Sequence, residues 1–156
     1  MFQRILCATD FSDTAEAAWE AACELARVHR AELILVHAFV ELPVYPEVAV
    51  VEVQRVWDEQ RRWVEGELEQ RAAAARARGL GVRWMLKTGP PAEGIVEAVG
   101  EAQADVLVIG THGRTGLTRL LIGSVAERVV RIAPVPVLIV KPPATGQAAR
   151  EVRRAA

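Results

Sequence analysis

Gly110, Gly113, Gly123 and Ser124 are the residues whose types and spacing point most directly to chemistry. They follow the pattern Gly-x2-Gly-x9-Gly-Ser, after an apolar run at 104–109 that reads as a buried strand. Helical spacing resumes at 125–132. Glycine at a strand end lets a ligand approach the backbone with no Cβ in the way, and we expect positive φ at Gly110 and Gly113. A glycine-serine pair opening a helix offers an anion both amides and a hydroxyl. Gly123 would let the chain enter that helix tightly, with Ser124 donating to a phosphate oxygen. No acidic residue lies between Asp105 and Glu127, while Arg114 and Arg119 add positive charge. The expectation is a phosphate site.

Asp10 closes the other apolar run that ends in a turn, 2–9. A carboxylate close to several phosphates is repelled unless a metal intervenes or it faces another part of the ligand. Two readings stand: an Asx turn ahead of the next helix, or a hydrogen bond to ribose or base. We prefer the second, because the positive loop occupies the opposite wall. Thr9 and Ala38, at the ends of the first and second strands, would line the base pocket. His112 reads as a loop cap, His37 as a structural residue within its strand, and His29 as a favourable partner of a helix dipole. The lysine-bearing Gly-x-x-x-x-Gly-Lys loop is missing, and no Gly-x-Gly-x-x-Gly follows the first strand, so P-loop and dinucleotide sites are disfavoured.

The elements that must position these groups alternate. After the first strand, Ser12 or Asp13 caps a helix running to about 29, with Ala15, Ala18, Trp19, Ala22, Leu25 and Ala26 on one stripe. A second strand follows at 32–40, then a proline-bearing connection at 42–46 where a lid or loop is expected. The longest helix spans about 48–78, its core face supplied by Val53, Val56, Trp57, Val64, Leu68 and Ala72, and Gly79-Leu80-Gly81 ends it. A third strand at 82–87 and a helix opened by Pro90-Pro91 precede the glycine loop. Val137–Val140 makes a short last strand, and from 142 to 156 we expect a fraying tail. Strands alternating with helices predict a parallel sheet covered on both faces. With strand order 3-2-1-4-5, winding would reverse between the first and fourth strands. Asp10 and Gly110 would then face one another across the crevice where such sheets bind ligands.

Composition narrows the classes. A chain of 156 residues, 51% apolar and 25% charged, suits one folded domain with a real core. A net charge of −1 gives no polybasic surface, so nucleic-acid binding is not expected. No apolar run approaches the roughly 20 residues that span a bilayer. The amino terminus lacks secretory features, and we expect a cytoplasmic protein without a membrane partner. Cys7 and Cys23 fit no metal or redox spacing and read as buried structural thiols.

The glycine spacing, the opening run 5–12 with its acid, and the run 134–140 resemble the universal stress protein family over residues 2–141. In its ATP-binding subgroup this resemblance implies a five-stranded α/β fold in the order 3-2-1-4-5, Rossmann-like, with ATP held by the glycine loop. It also implies dimers paired through the last strand and a role in stress survival or signalling. Carried across by position, Asp10 and Ala38 contact the nucleoside, Ile109 and Gly110 flank it, and Gly113, Arg114, Gly123, Ser124 and Val125 surround the phosphates. Ala8 departs from the proline or valine of some members, which bears on base packing only. A Mg2+ or Mn2+ ion is expected to bridge the phosphates. Phosphoryl transfer needs a group that positions the attacking water. None presents itself near the loop, so slow or no hydrolysis is expected. The alternatives are a low-rate ATPase or nucleotidyl transferase, and a dimeric interaction module in which nucleotide is incidental.

Overall fold

A computed structural model describes residues 1–40, 50–111 and 122–141. The expected proline-bearing connection, most of the glycine loop and the tail at 142–156 lie outside these residues. The elements are β1 (Arg4–Ala8), α1 (Asp13–His29), β2 (Glu32–Phe39), α2 (Val50–Ala77), β3 (Val82–Thr88), α3 (Pro91–Ala102), β4 (Val106–Gly110), α4 (Ser124–Ile132) and β5 (Val137–Val140). All strand pairs are parallel, and the sheet order is β3-β2-β1-β4-β5, as expected.

Alternation along each strand assigns side chains to two cores. Ile5, Cys7, Leu33, Leu35, Val106 and Val108 face α1 and α2, whose Trp19, Ala22, Cys23, Val64, Leu68 and Ala72 cover them. Leu6, Ile34, Val36, Leu107 and Ile109 face α3 and α4, where Ile95, Ala98, Val99, Ala126 and Val129 close the other side. Because the central strands are buried on both faces, they read as unbroken apolar runs. Burial pushes the Cys23 thiol up to about 11 and the Cys7 thiol higher still, which keeps both protonated and inert.

Ser12 caps α1, its Oγ accepting from the Ala15 amide at 3.2 Å. The core face expected for α2 is corrected at its first half. Val64, Leu68, Ala72 and Ala75 are buried, but Val56 is 59% exposed and Trp63 50%. The reason is length. The 28 residues of α2 span about 42 Å, whereas its strand neighbours of 7 and 8 residues span only about 23–26 Å. The helix overshoots the sheet, so the periodicity at its start has no core to face. His29 lies in the last turn of α1, as expected, and its Nδ1 also accepts from the Phe2 amide at 3.1 Å.

Gly110 is extended as the last residue of β4, and the described glycines with positive φ are Gly79 and Gly89. The expectation of positive φ there is therefore wrong. A Cβ at Gly110 would lie 2.9 Å from Thr14 Cγ2 and 3.0 Å from the Thr14 carbonyl oxygen. Glycine is needed there because the first turn of α1 lies against the strand. Gly110→Ala must push that turn away, and we expect a loss of about 1–3 kcal/mol in chemical denaturation; unchanged stability would contradict this packing.

The starts of β1 and β4 are tied by Asp105, whose Oδ2 accepts from the Arg4 amide at 2.8 Å and the Gln3 amide at 2.6 Å. These two amides, Arg4 first, hold the Asp105 carboxyl below the usual carboxylate range. A folded-state pKa below the unfolded one stabilises above the ordinary aspartate value, about 3.9, and the contribution is lost as pH falls through the folded value. Asp105→Asn should thus lower the Tm at pH 6, with the gap to wild type closing below about pH 4. A gap independent of pH would count against the assignment.

Candidate functional site

β1 and β4 are neighbours, yet the helices that follow them go to opposite faces of the sheet. Between their carboxyl ends lies a crevice of about 330 Å3. That is within the usual range for small-molecule sites. Thr9, Asp10, Ala38, Ile109, Gly110, Gly123, Ser124 and Val125 all line it, which places together every described residue singled out from the sequence. Gly113 and Arg114, like His112 and Arg119, lie outside the described residues.

One wall is the start of α4. Gly123 is its N-cap, in extended conformation, and among the described residues no side chain caps the helix. The first intrahelical bond of this turn runs from the Glu127 amide to the Gly123 carbonyl at 2.9 Å. The amides of Ser124, Val125 and Ala126 are those that an α-helix leaves without an acceptor of its own. They carry the positive end of the helix dipole. The Gly123 amide donates to the Thr111 carbonyl at 2.6 Å, and the Thr111 amide to that of Val140 at 3.0 Å. Both ends of the glycine loop are thereby fixed to the sheet.

The opposite wall is the β1–α1 turn. The Thr9 amide continues the ladder by donating to the Val36 carbonyl at 2.9 Å. Asp10 Oδ1 accepts from the Ser12 amide at 3.1 Å and from the Ser12 hydroxyl at 2.6 Å. The Asx-turn reading of Asp10 is therefore realised, and the same carboxylate sits on the crevice wall. Phe11 follows with φ 63°, a left-handed conformation that costs a non-glycine residue about 1–3 kcal/mol. Its amide donates to Thr9 Oγ1 at 3.0 Å.

Sequence reasoning missed part of the lining. Ala15, with the already expected Ala8, leaves room between the walls, and Pro91 and Ile95 bring the start of α3 over the crevice. Pro91 stands at the first position of a helix that also lacks a side-chain cap. The proline pair was legible as a helix start, but its approach to the crevice depends on packing. His37 does lie in its strand with a structural partner, its Nδ1–H donating to the Thr9 carbonyl at 2.8 Å, and it lines the crevice as well. Its position beside Ala38 was the available signal.

Among the described residues no group of three or more His, Cys, Asp or Glu side chains converges as a metal site. Asp10 is the acidic residue among those lining the crevice. No helix among the described residues is long and apolar enough to cross a membrane.

Comparison with known proteins agrees with this architecture. The universal stress protein MJ0531 of Methanocaldococcus jannaschii is 35% identical over 149 residues, covering 92% of this chain and 84% of the relative. The solved structure of MJ0577, from the same organism, matches with a TM-score of 0.81 at 30% identity, over 93% of this chain and 99% of that one. A universal stress protein solved in complex with cAMP matches with a TM-score of 0.68 at 28% identity, over 90% and 98% of the two chains. The profile of the universal stress protein family matches residues 1–141, and the chain belongs to that family.

Proposed function

We propose that the crevice binds ATP, with Mg2+ or Mn2+ bridging its phosphates, and that the protein is an ATP-responsive regulator of the stress response in the cytoplasm. The observation that carries this reading is the first turn of α4, which no side chain among the described residues caps, opening on a crevice whose far wall bears Asp10. Amides at a helix start suit phosphate oxygens, and the Ser124 hydroxyl adds a donor. Gly113 and Arg114, by their place in the glycine spacing, complete the phosphate end. The nucleoside lies toward Thr9, Asp10 and Ala38, flanked by Ile109 and Gly110. The relative solved with cAMP supports an adenine nucleotide as the ligand class.

Binding is favoured over catalysis by the state of Asp10. Efficient phosphoryl transfer needs a group that orients the attacking water. Asp10 is the acid on the crevice wall, and its Oδ1 already holds the turn through Ser12. Hydrolysis is accordingly slow or absent.

Four or five hydrogen bonds to charged oxygens give roughly 6–15 kcal/mol gross, against an association cost of about 4–15 kcal/mol. Titration calorimetry with Mg-ATP should therefore give a micromolar Kd. Ser124→Asp places a carboxylate where the phosphates sit, yet suits a helix start. It should weaken ATP at least about 10-fold with Tm unchanged or raised, since each bond to a charged group is worth about 1.5–3 kcal/mol. Absence of heat with millimolar Mg-ATP, or undiminished affinity in this variant, would contradict the site.

We further propose a homodimer paired through β5. That strand is the sheet edge beside β4, and Leu138 on it is 41% exposed. An apolar edge strand is a ready template for another chain. Light scattering at micromolar concentration should give twice the one-chain mass, and Leu138→Lys should shift the molecule toward one-chain mass. A wild-type protein of one-chain mass throughout would overturn this.

A further inference from the structure

Among the described residues three non-glycines have positive φ: Phe11, Arg30 and Gln103. Arg30 and Gln103 are helix C-caps, where a left-handed residue is an ordinary way to stop. Phe11 is not at a helix end. It stands between Asp10 and the N-cap Ser12, and its side chain has none of the polar atoms that help Asn or Asp adopt this conformation. Something else must hold it.

What holds it is contact on the ring. The His37 ring stacks on Phe11 with centroids 4.8 Å apart and planes at 20°. Trp63 of α2 meets it edge-on at 5.5 Å and 80°. The Arg71 guanidinium, also from α2, lies over the ring at 4.9 Å. Arg71 is itself fixed, Nε to Glu16 of α1 at 3.2 Å and Nη1 to Glu67 at 2.6 Å. Both His37, through its ring N–H, and the Phe11 amide bond to Thr9. Asp10 thus sits between two residues whose positions are set from outside the turn. Neither Trp63 nor Arg71 lines the crevice.

Resting on the nucleotide reading above, we propose that Trp63 and Arg71 are positioning residues for ligand binding: with His37 they clamp Phe11 in its left-handed conformation and so hold Thr9 and Asp10 on the crevice wall. Without the clamp, the turn populates other conformations, and apparent affinity falls in proportion to the competent fraction. This gives two α2 residues beside its core face, Trp63 next to Val64 and Arg71 next to Ala72, a part in ligand binding.

The test combines Kd for Mg-ATP with two measurements on the ligand-free protein: hydrogen exchange of the Phe11 amide and the ring-current shifts of the His37 ring protons. Trp63→Leu changes a half-exposed residue, and Arg71→Met keeps the aliphatic stem, so both variants should fold. Each should weaken ATP about 3- to 10-fold, speed exchange at Phe11 and move the His37 signals. Phe11→Tyr should retain affinity, while Phe11→Leu should lose it to a similar degree. In a Phe11→Gly background the turn forms without a clamp, and neither α2 substitution should change affinity further. Unchanged exchange and affinity in the single variants, or equal losses in the Phe11→Gly background, would overturn the proposal. If wild type itself shows no ATP binding, the nucleotide reading falls. The Phe11 exchange and His37 shifts then decide the clamp: faster exchange sustains it, and unchanged values refute it.

Discussion

When two neighbouring parallel strands send their helices to opposite faces, nothing in the sheet fills the space beyond their carboxyl ends. β1 and β4 are such a pair, with α1 on one face and α4 on the other. Every feature of the crevice depends on this divergence. It places the start of α4 opposite the β1–α1 turn, so that helix-start amides and a carboxylate occupy facing walls of one cavity. Both walls are consequences of how chain direction is resolved at the centre of the sheet.

Close packing then fixes the walls. Gly110 brings the first turn of α1 against β4, and a methyl group at that position would already collide with Thr14. Thr111 holds both ends of the glycine loop to the strand frame through its amide and carbonyl. Phe11 holds the other wall through a backbone conformation that its ring contacts maintain. A rigid frame matters for a modest ligand site, because ordering the walls on binding would use up much of the interaction with phosphate.

The topology was legible because both faces of the sheet are covered. Runs such as 33–36 and 106–109 are buried on successive residues, and the connections between them carry helical spacing with recognisable caps. The candidate crevice was legible for the same local reasons: glycine and aspartate at strand ends and serine at a helix start declare themselves by type. What the sequence left out is tertiary. Val56 has helical spacing but no sheet beneath it. Gly110 looked like a residue needing positive φ, whereas its absent Cβ serves helix packing. A phenylalanine carries no sign of a left-handed backbone, since its conformation is imposed by partners on another helix. Pro91 and Ile95 reach the crevice only through the way α3 crosses the sheet.

The central claim is that one crevice, bounded by the start of α4 and the end of β1, takes the nucleotide. Amide chemical-shift mapping during titration with Mg-ATP tests it most directly. The account predicts that the largest shifts fall together on Thr9, Asp10, Ala38, Gly110 and the amides from Gly123 to Ala126. Shifts centred elsewhere on the molecule, or none at saturating nucleotide, would contradict it.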